Sequence, residues 1–217
     1  MSNLNFLHSG GNKVTLSAPA SNPSSDLTFK LPQSDGSAGQ VLQTDGNGNL
    51  SWVTPGTATT NGITMLDQWR LTSAFTGGQN PISSNLERVD NLSSGTLIGS
   101  GMSVSSGYWT FPSTGIYKIE FDTMVYLNNS NSRYIESYIY ATTNNSSYSE
   151  VSRGATSLYD SNSNTYGGTH CNFLFDVTNV STHKVYFRQL PANSSVTTAG
   201  STNNNFTYMT FMRIGDT

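Results

Sequence analysis

The chain is poor in charge, nearly devoid of cysteine and without a long apolar run. Charged residues make up 11% of its 217 positions, less than half of the roughly one quarter usual in soluble domains. Ser, Thr and Asn stand in their place, so the surface is kept wet by neutral hydrogen-bonding groups. Such a composition is common in extracellular β-fibres and glycan-binding shells. The net charge of −3 gives no electrostatic footprint for nucleic acid. No apolar stretch approaches the roughly 18 residues that a spanning helix needs, so membrane insertion is not expected. The opening MSNLNFLHSGGNK has neither the basic start nor the apolar run of a signal peptide. Cys171 is the single cysteine, which excludes an intrachain disulfide. It alternates in phase with Phe173, Phe175 and Val177, the place of a small buried hydrophobe rather than a nucleophile or ligand. A chain made in a reducing cytoplasm and stabilised by packing alone is expected. Sequons at Asn91, Asn128, Asn144 and Asn205 reflect the abundance of Asn, Ser and Thr.

Catalytic and metal-binding patterns are equally sparse. Asp45-Gly46-Asn47-Gly48-Asn49 begins like a calcium loop. The sixth and twelfth positions, which that loop gives to Gly and a bidentate acid, hold Leu50 and Gly56, so a tight turn is expected. Asp160 to Asn164 offers oxygens as any polar loop does. His8, His170 and His183 are dispersed, and no Gly-x-Ser-x-Gly elbow exists. Glu120 and Asp122 share a strand face beside Lys118. They form a polar face before they form a glycosidase pair. Neither enzymatic activity nor a cofactor is expected.

What the chain does have is β-periodicity. In GYWTFPSTGIYKIEFDTMVYL, Gly107 to Leu127, two aromatic-rich strands flank the turn Pro112-Ser113-Thr114-Gly115. In the second strand Tyr117, Ile119, Phe121, Val125 and Leu127 fall on one face, with Lys118, Glu120 and Asp122 on the other. A period of two marks a strand with one buried side. Further strands are expected at Ile63 to Phe75, Leu86 to Val89, Met102 to Phe111, Arg133 to Thr142, Gly167 to Val177, His183 to Leu190 and Phe206 to Ile214. Many short strands without intervening helices indicate a sandwich or barrel. The expectation is an all-β, two-sheet antiparallel jelly roll over residues 61–217.

Residues 1–60 differ. Short apolar pieces (Leu4 to Leu7, Val14 to Leu16, Leu27 to Leu31, Val41-Leu42 and Leu50 to Val53) are separated by Gly, Pro, Ser and Asn, each too short to bury a core. This region needs the main domain, copies of itself or a surface to lie against, and Thr54 to Gly62 reads as a linker. In the last strand Phe206, Tyr208, Met212 and Ile214 point one way and Met209 and Phe211 the other. Both faces are apolar. Either local packing or a subunit interface covers them, and these six residues are the candidate interface. Tyr134, Tyr138 and Tyr140 line one strand face, with Tyr148, Tyr159 and Tyr166 in nearby loops. The loop tyrosines are candidate contacts for a glycan or protein, while the strand tyrosines can equally pack within the sheet.

The stretch Phe111-Pro112-x-x-Gly115-Ile116-Tyr117 with its alternating strand resembles the core motif of complement-q-type globular heads, the tumour-necrosis-factor-like jelly roll. The closing NNFTYMTFMRI and the pair FLFDVTN and HKVYFRQL are similar to that family's later strands, so the match covers about residues 64–215. The resemblance implies a compact homotrimer. In place of a collagen stalk, LTFKLPQSDGSAGQVLQTDGNGNLSWV resembles a segment recurrent in tail-fibre and other appendage proteins of tailed bacteriophages. Its skeleton here is Lys30-Leu31-Pro32, Asp35-Gly36, Gly39-Gln40-Val41-Leu42, Thr44-Asp45-Gly46, Gly48 and Trp52. The two together imply a virion structural protein, made in the host cytoplasm: a short fibre, spike or head decoration with a trimeric knob for host-surface adhesion or capsid reinforcement. Phe29, Leu31, Val41, Leu42 and Trp52 are the candidate attachment residues toward other virion proteins. A free soluble trimeric lectin or ligand of complement-q type is the alternative.

Overall fold

The computed structural model describes the chain apart from residues 1–3, 17–18, 22, 56–62 and 91–96. Most of the expected linker and the Asn91 sequon therefore lie outside the described residues. The chain divides into two compact units, Met1–Asn61 and Gly62–Thr217.

The first unit is two hairpins. Strands β1 (Leu4–Leu7) and β2 (Lys13–Leu16) pair antiparallel, as do β3 (Val41–Thr44) and β4 (Leu50–Val53). Leu27 to Leu31 forms no strand. Only Lys30 bonds alongside the second hairpin, its N–H donating to the Gly48 carbonyl at 2.8 Å and its carbonyl accepting from Leu50 N–H at 2.9 Å. The β3–β4 turn is held by Asp45. One carboxylate oxygen accepts from Asn47 N–H at 2.8 Å and Asn49 N–H at 3.1 Å, and the other accepts from the Asn49 side chain at 2.6 Å. Both oxygens are thus committed to the turn. The Trp52 indole donates to the Ser34 carbonyl at 2.9 Å and lies against Gly36, where a Cβ would come within 2.7 Å of the ring.

The second unit is the sandwich. Its strands are β5 (Met65–Leu71), β6 (Ser73–Thr76), β7 (Leu86–Arg88), β8 (Leu97–Ile98), β9 (Ser103–Ser105), β10 (Tyr108–Thr110), β11 (Gly115–Asn128), β12 (Ser132–Thr142), β13 (Ser149–Leu158), β14 (Asn164–Val177), β15 (Lys184–Pro191), β16 (Thr197–Ser201) and β17 (Tyr208–Gly215). One antiparallel sheet runs β13-β12-β15-β10-β9. The other runs β6-β16-β11-β17-β5-β7, with β14 also on β11 and β8 also on β5. The expected Met102–Phe111 strand is split at Ser106-Gly107, both at positive φ (51° and 84°), which a tight two-residue hairpin turn demands. Strands β13 and β16 escape the sequence reading. SEVSRGATSL lies on a sheet edge and TTAGS is built of small residues, so neither needs an apolar stripe.

Alternate side chains of both sheets meet in a core centred on Trp109, which is fully buried, packed edge-on against Trp69 at 5.1 Å and beside Phe211 at 5.0 Å. The inward face of β11 is the one the sequence indicated, with Tyr117, Ile119, Phe121, Val125 and Leu127 buried. Cys171 and Phe175 lie across from it in the main cluster. A second, smaller cluster holds Val125, Leu127, Ile135, Leu158 and Val196. Between the two clusters runs a polar belt, one residue from each of four strands. Thr123 and Thr169 share a hydrogen bond at 2.7 Å, Ser137 bonds Thr169, and Ser137 donates to the Gln189 side-chain carbonyl. All four are buried, and Gln189 Nε2 has no partner. At the β5 end, fully buried Asp67 accepts from Arg88 Nε at 2.7 Å, from Met102 N–H at 2.7 Å and from the Trp69 indole at 2.9 Å.

Candidate functional site

The outer face of the larger sheet is set by register. Across β14, β11, β17 and β5, the outward residues align in rows: His170, Asp122, Tyr208 and Arg70; then Asn172, Glu120, Thr210 and Gln68; then Leu174, Lys118, Met212 and Leu66. Four strands over seven residues make a plate of about 15 by 24 Å. Its polar groups have partners: His170 Nδ1 lies 2.9 Å from Asp122 and Lys118 Nζ 2.6 Å from Glu120, while Arg70 is fully buried and pairs beyond the four strands with Glu87 and Asp90, at 2.7 Å each. Burial first, then the Asp122 and Glu120 carboxylates, pushes the Tyr208 phenol up, so it stays a neutral donor. Apolar groups flank this paired band. Leu174 is 59% exposed, Ile214 52% and Phe206 38%, with Met212, Leu66, Met124 and Ile116 half-buried.

These placements divide the six residues expected at an interface. Phe206, Tyr208, Met212 and Ile214 lie on or beside the outer face. Met209 and Phe211 do not: both are fully buried in the chain's own core, Phe211 against Trp109 and Phe187, and they are withdrawn from the candidate interface. The last strand is apolar on two sides for two separate reasons. One side fills the sandwich, and only the other is left over. Leu174, Leu66 and Met124 join the face unforeseen; the period-two parity of their strands, combined with pairing to β17, would have found them.

The loop tyrosines do not form one surface. Tyr148 and Tyr159 flank the ten-residue β13 at opposite ends, about 36 Å apart along an extended strand. Tyr166 belongs to β14, on the outer face of the larger sheet beside Tyr126, with ring centroids 5.6 Å apart. Tyr159 is 71% exposed in the turn after β13. Tyr148 instead joins a group that the sequence reading missed. Tyr108, Tyr186 and Tyr140 occupy one row across β10, β15 and β12. Tyr140 and Tyr186 stack at 4.7 Å, and Tyr148 packs 5.3 Å from Tyr108 and 5.1 Å from Tyr186. Beside them Tyr138 lies between the Arg153 and Arg188 guanidinium groups, at 4.9 and 5.1 Å. Burial and its bond to Glu136 push its phenol up to about 12.

In the first unit Phe29, Leu31, Val41, Leu42 and Trp52 are all exposed, Leu31 the most at 74%. Among the described residues, no group of three or more His, Cys, Asp or Glu is placed to hold a metal, and no helix is long and apolar enough to cross a membrane. Burial pushes the Cys171 thiol up to about 12, which removes it as a nucleophile at neutral pH.

No protein-family model matches the chain, and no curated protein matches it. The crystal structure of murine APRIL at pH 5.0 is similar over 69% of this chain and 98% of that one, at 11% identity and a TM-score of 0.49. The structure of Eiger TNF from S. frugiperda is similar over 72% of this chain and 96% of that one, at 10% identity and a TM-score of 0.51. The likeness to Eiger TNF shows the fold alone: the chain carries a TNF-like jelly roll. Fold does not carry function with it.

Proposed function

We propose that the chain is a non-enzymatic, homotrimeric head, its copies packed through the outer face of the larger sheet and fixed to a larger body by residues 1–60. The observation that supports this is the plate itself. Lys118 is already paired with Glu120 and Asp122 already bonded to His170, and the plate exposes Leu174, Ile214 and Phe206 around them. Charges that enter an interface in pairs avoid most of the desolvation penalty of unpaired ones. Exposed apolar side chains on such a plate gain what water withholds from them, about 25 cal/mol per Å² covered. The expected outcome is that Met212→Glu, a charge placed amid that plate, dissociates the assembly without unfolding the monomer. A Met212→Glu protein of unchanged mass would defeat the reading.

The larger body we propose is a bacteriophage particle, on which the protein is a short fibre, spike or head decoration serving host adhesion or capsid reinforcement. The support is the N-terminal unit, whose large apolar side chains lie uncovered by the unit itself, and whose fibre-like skeleton is used structurally at Lys30, Gly36, Asp45 and Trp52. Synthesis in the host cytoplasm and residence on the virion belong to this reading. Mass spectrometry of purified particles tests it: stoichiometric copies are expected, and absence from particles contradicts it. A free soluble trimeric ligand or lectin is the second reading, favoured by the fold shared with Eiger TNF. It predicts a trimer found only off the particle.

A further inference from the structure

On the solvent side of the smaller sheet, an open cleft of about 510 Å³ lies beside Tyr108 and Tyr148, within the range of about 300–1,000 Å³ usual for small-ligand sites. Its floor is aromatic. Tyr108, 37% exposed, continues the row that runs through Tyr186 to Tyr140, and Tyr148 leans onto it from the loop before β13. Burial pushes the Tyr148 and Tyr186 phenols up, so they remain neutral hydroxyls. The rim is polar and comes from two turns whose backbones are held at positive φ, Ser106 at 51° and Asn145 at 56°. Such conformations cost energy in a non-glycine residue and persist where surrounding structure fixes them. Lys184 is the one charged residue lining the cleft, and it makes no ion pair among the described residues. The acid nearest in the tyrosine row, Glu150 opposite Tyr140, is already bound by Arg153 at 2.8 Å.

We propose that this cleft is a binding site for a carboxylate-bearing sugar of a glycan, a hexuronate or a related acidic monosaccharide. The apolar face of the ring lies on Tyr108 and Tyr148, Asn145 and Ser106 hydrogen-bond its hydroxyls, and Lys184 binds the carboxylate. The residue types divide the ligand's chemistry among them. Exposed aromatic rings recognise the C–H face of a pyranose, amide and hydroxyl groups recognise its hydroxyls, and an uncompensated ammonium beside neutral groups selects an anion. A phosphate would satisfy Lys184 alone and leave the ring platform unused. The site lies within one copy of the chain, so it stands or falls separately from the trimeric reading.

The test uses matched ligands that differ only in the charge. Trigalacturonate and its methyl ester are titrated into the full-length protein, followed by calorimetry and by backbone and side-chain NMR shifts. Trigalacturonate is expected to bind and to shift resonances of Tyr108, Asn145, Tyr148 and Lys184, with the ester about tenfold weaker, the loss of one charge-assisted hydrogen bond. Lys184→Gln is expected to weaken the acid about tenfold and to leave the ester unchanged, erasing the difference between them. Tyr148→Ala is expected to weaken both about tenfold or more, and Tyr148→Phe, which keeps the ring, to retain most of the affinity. Inorganic phosphate is the control. Equal binding of acid and ester, shifts that map elsewhere, phosphate matching trigalacturonate, or no binding of trigalacturonate would each overturn the proposal.

Discussion

The polar belt between the two core clusters offers a quantitative test of how the sandwich is held. Ser137 is its hub, bonded to Thr169 and donating to Gln189, while Thr169 also bonds Thr123. Ser137→Ala therefore leaves the Gln189 side-chain carbonyl without its donor, on a side chain whose Nε2 is already unpaired, while Thr169 keeps its bond to Thr123. One newly orphaned buried group costs about 1–3 kcal/mol, and the single change should cost about that much. Replacing the whole belt, with Thr123→Val, Ser137→Ala, Thr169→Val and Gln189→Met together, removes both sides of every bond and joins the two apolar clusters. That variant should lie within about 1–2 kcal/mol of wild type, because paired polar groups exchanged for apolar ones of like shape are nearly neutral. Urea unfolding at one fixed protomer concentration, followed by the fluorescence of Trp69 and Trp109, measures both. Cys171, with its thiol pushed up to about 12, supplies a second probe, since a thiol reagent reacts with it only once the core opens. A four-fold variant that loses the sum of its single costs would show that the belt is not a network, and the reasoning would fail.

Three further outcomes follow from the same contacts. Gly154→Ala on β13 places a Cβ 2.2 Å from the His170 carbonyl oxygen on β14; the backbones must part, and a loss of about 1–3 kcal/mol is expected in the same urea assay. Asp67→Ala leaves Arg88 Nε, the Met102 N–H and the Trp69 indole without their acceptor and should cost about 3–5 kcal/mol, whereas a cost under about 1 kcal/mol would show that solvent replaces it. The Asn49 side-chain bond, then the Asn47 N–H, hold the Asp45 carboxyl below its ordinary value of 3.8. Its contribution to the β3–β4 turn is present above that value and is lost as pH falls through the lowered one. The Asn47 and Asn49 amide shifts should titrate with a midpoint below 3.8, and a midpoint at or above it would contradict the turn geometry.

The sequence carried most of the sandwich because burial on one face writes itself as alternation. Gly115 to Asn128 alternates from end to end, inward residues buried and outward ones half-exposed, and most strand ends agree to within a few residues, although the expected strand Ile63 to Phe75 is broken at Thr72 into β5 and β6, which pair with different neighbours. Strands without that signature were missed. Edge strand β13 needs no apolar stripe, and β16 packs through small residues. The belt was illegible for a different reason: Thr123, Ser137, Thr169 and Gln189 meet only through the pairing of strands far apart in the chain. The tyrosine row is a third case. Tyr108, Tyr140 and Tyr186 look unrelated until register aligns them, which is why Tyr148 was grouped with Tyr159 and Tyr166 on the basis of loop position alone. In the closing strand two apolar faces suggested one cause, yet Met209 and Phe211 serve the core and only the even-numbered side remains for a partner.

The account rests most heavily on that remaining side being covered by further copies of the same chain. Light scattering on the purified protein at micromolar concentration measures this directly. The expected result is a particle of about three times the 23.4 kDa chain mass; a particle of one chain mass would leave the outer plate open to water and contradict the account.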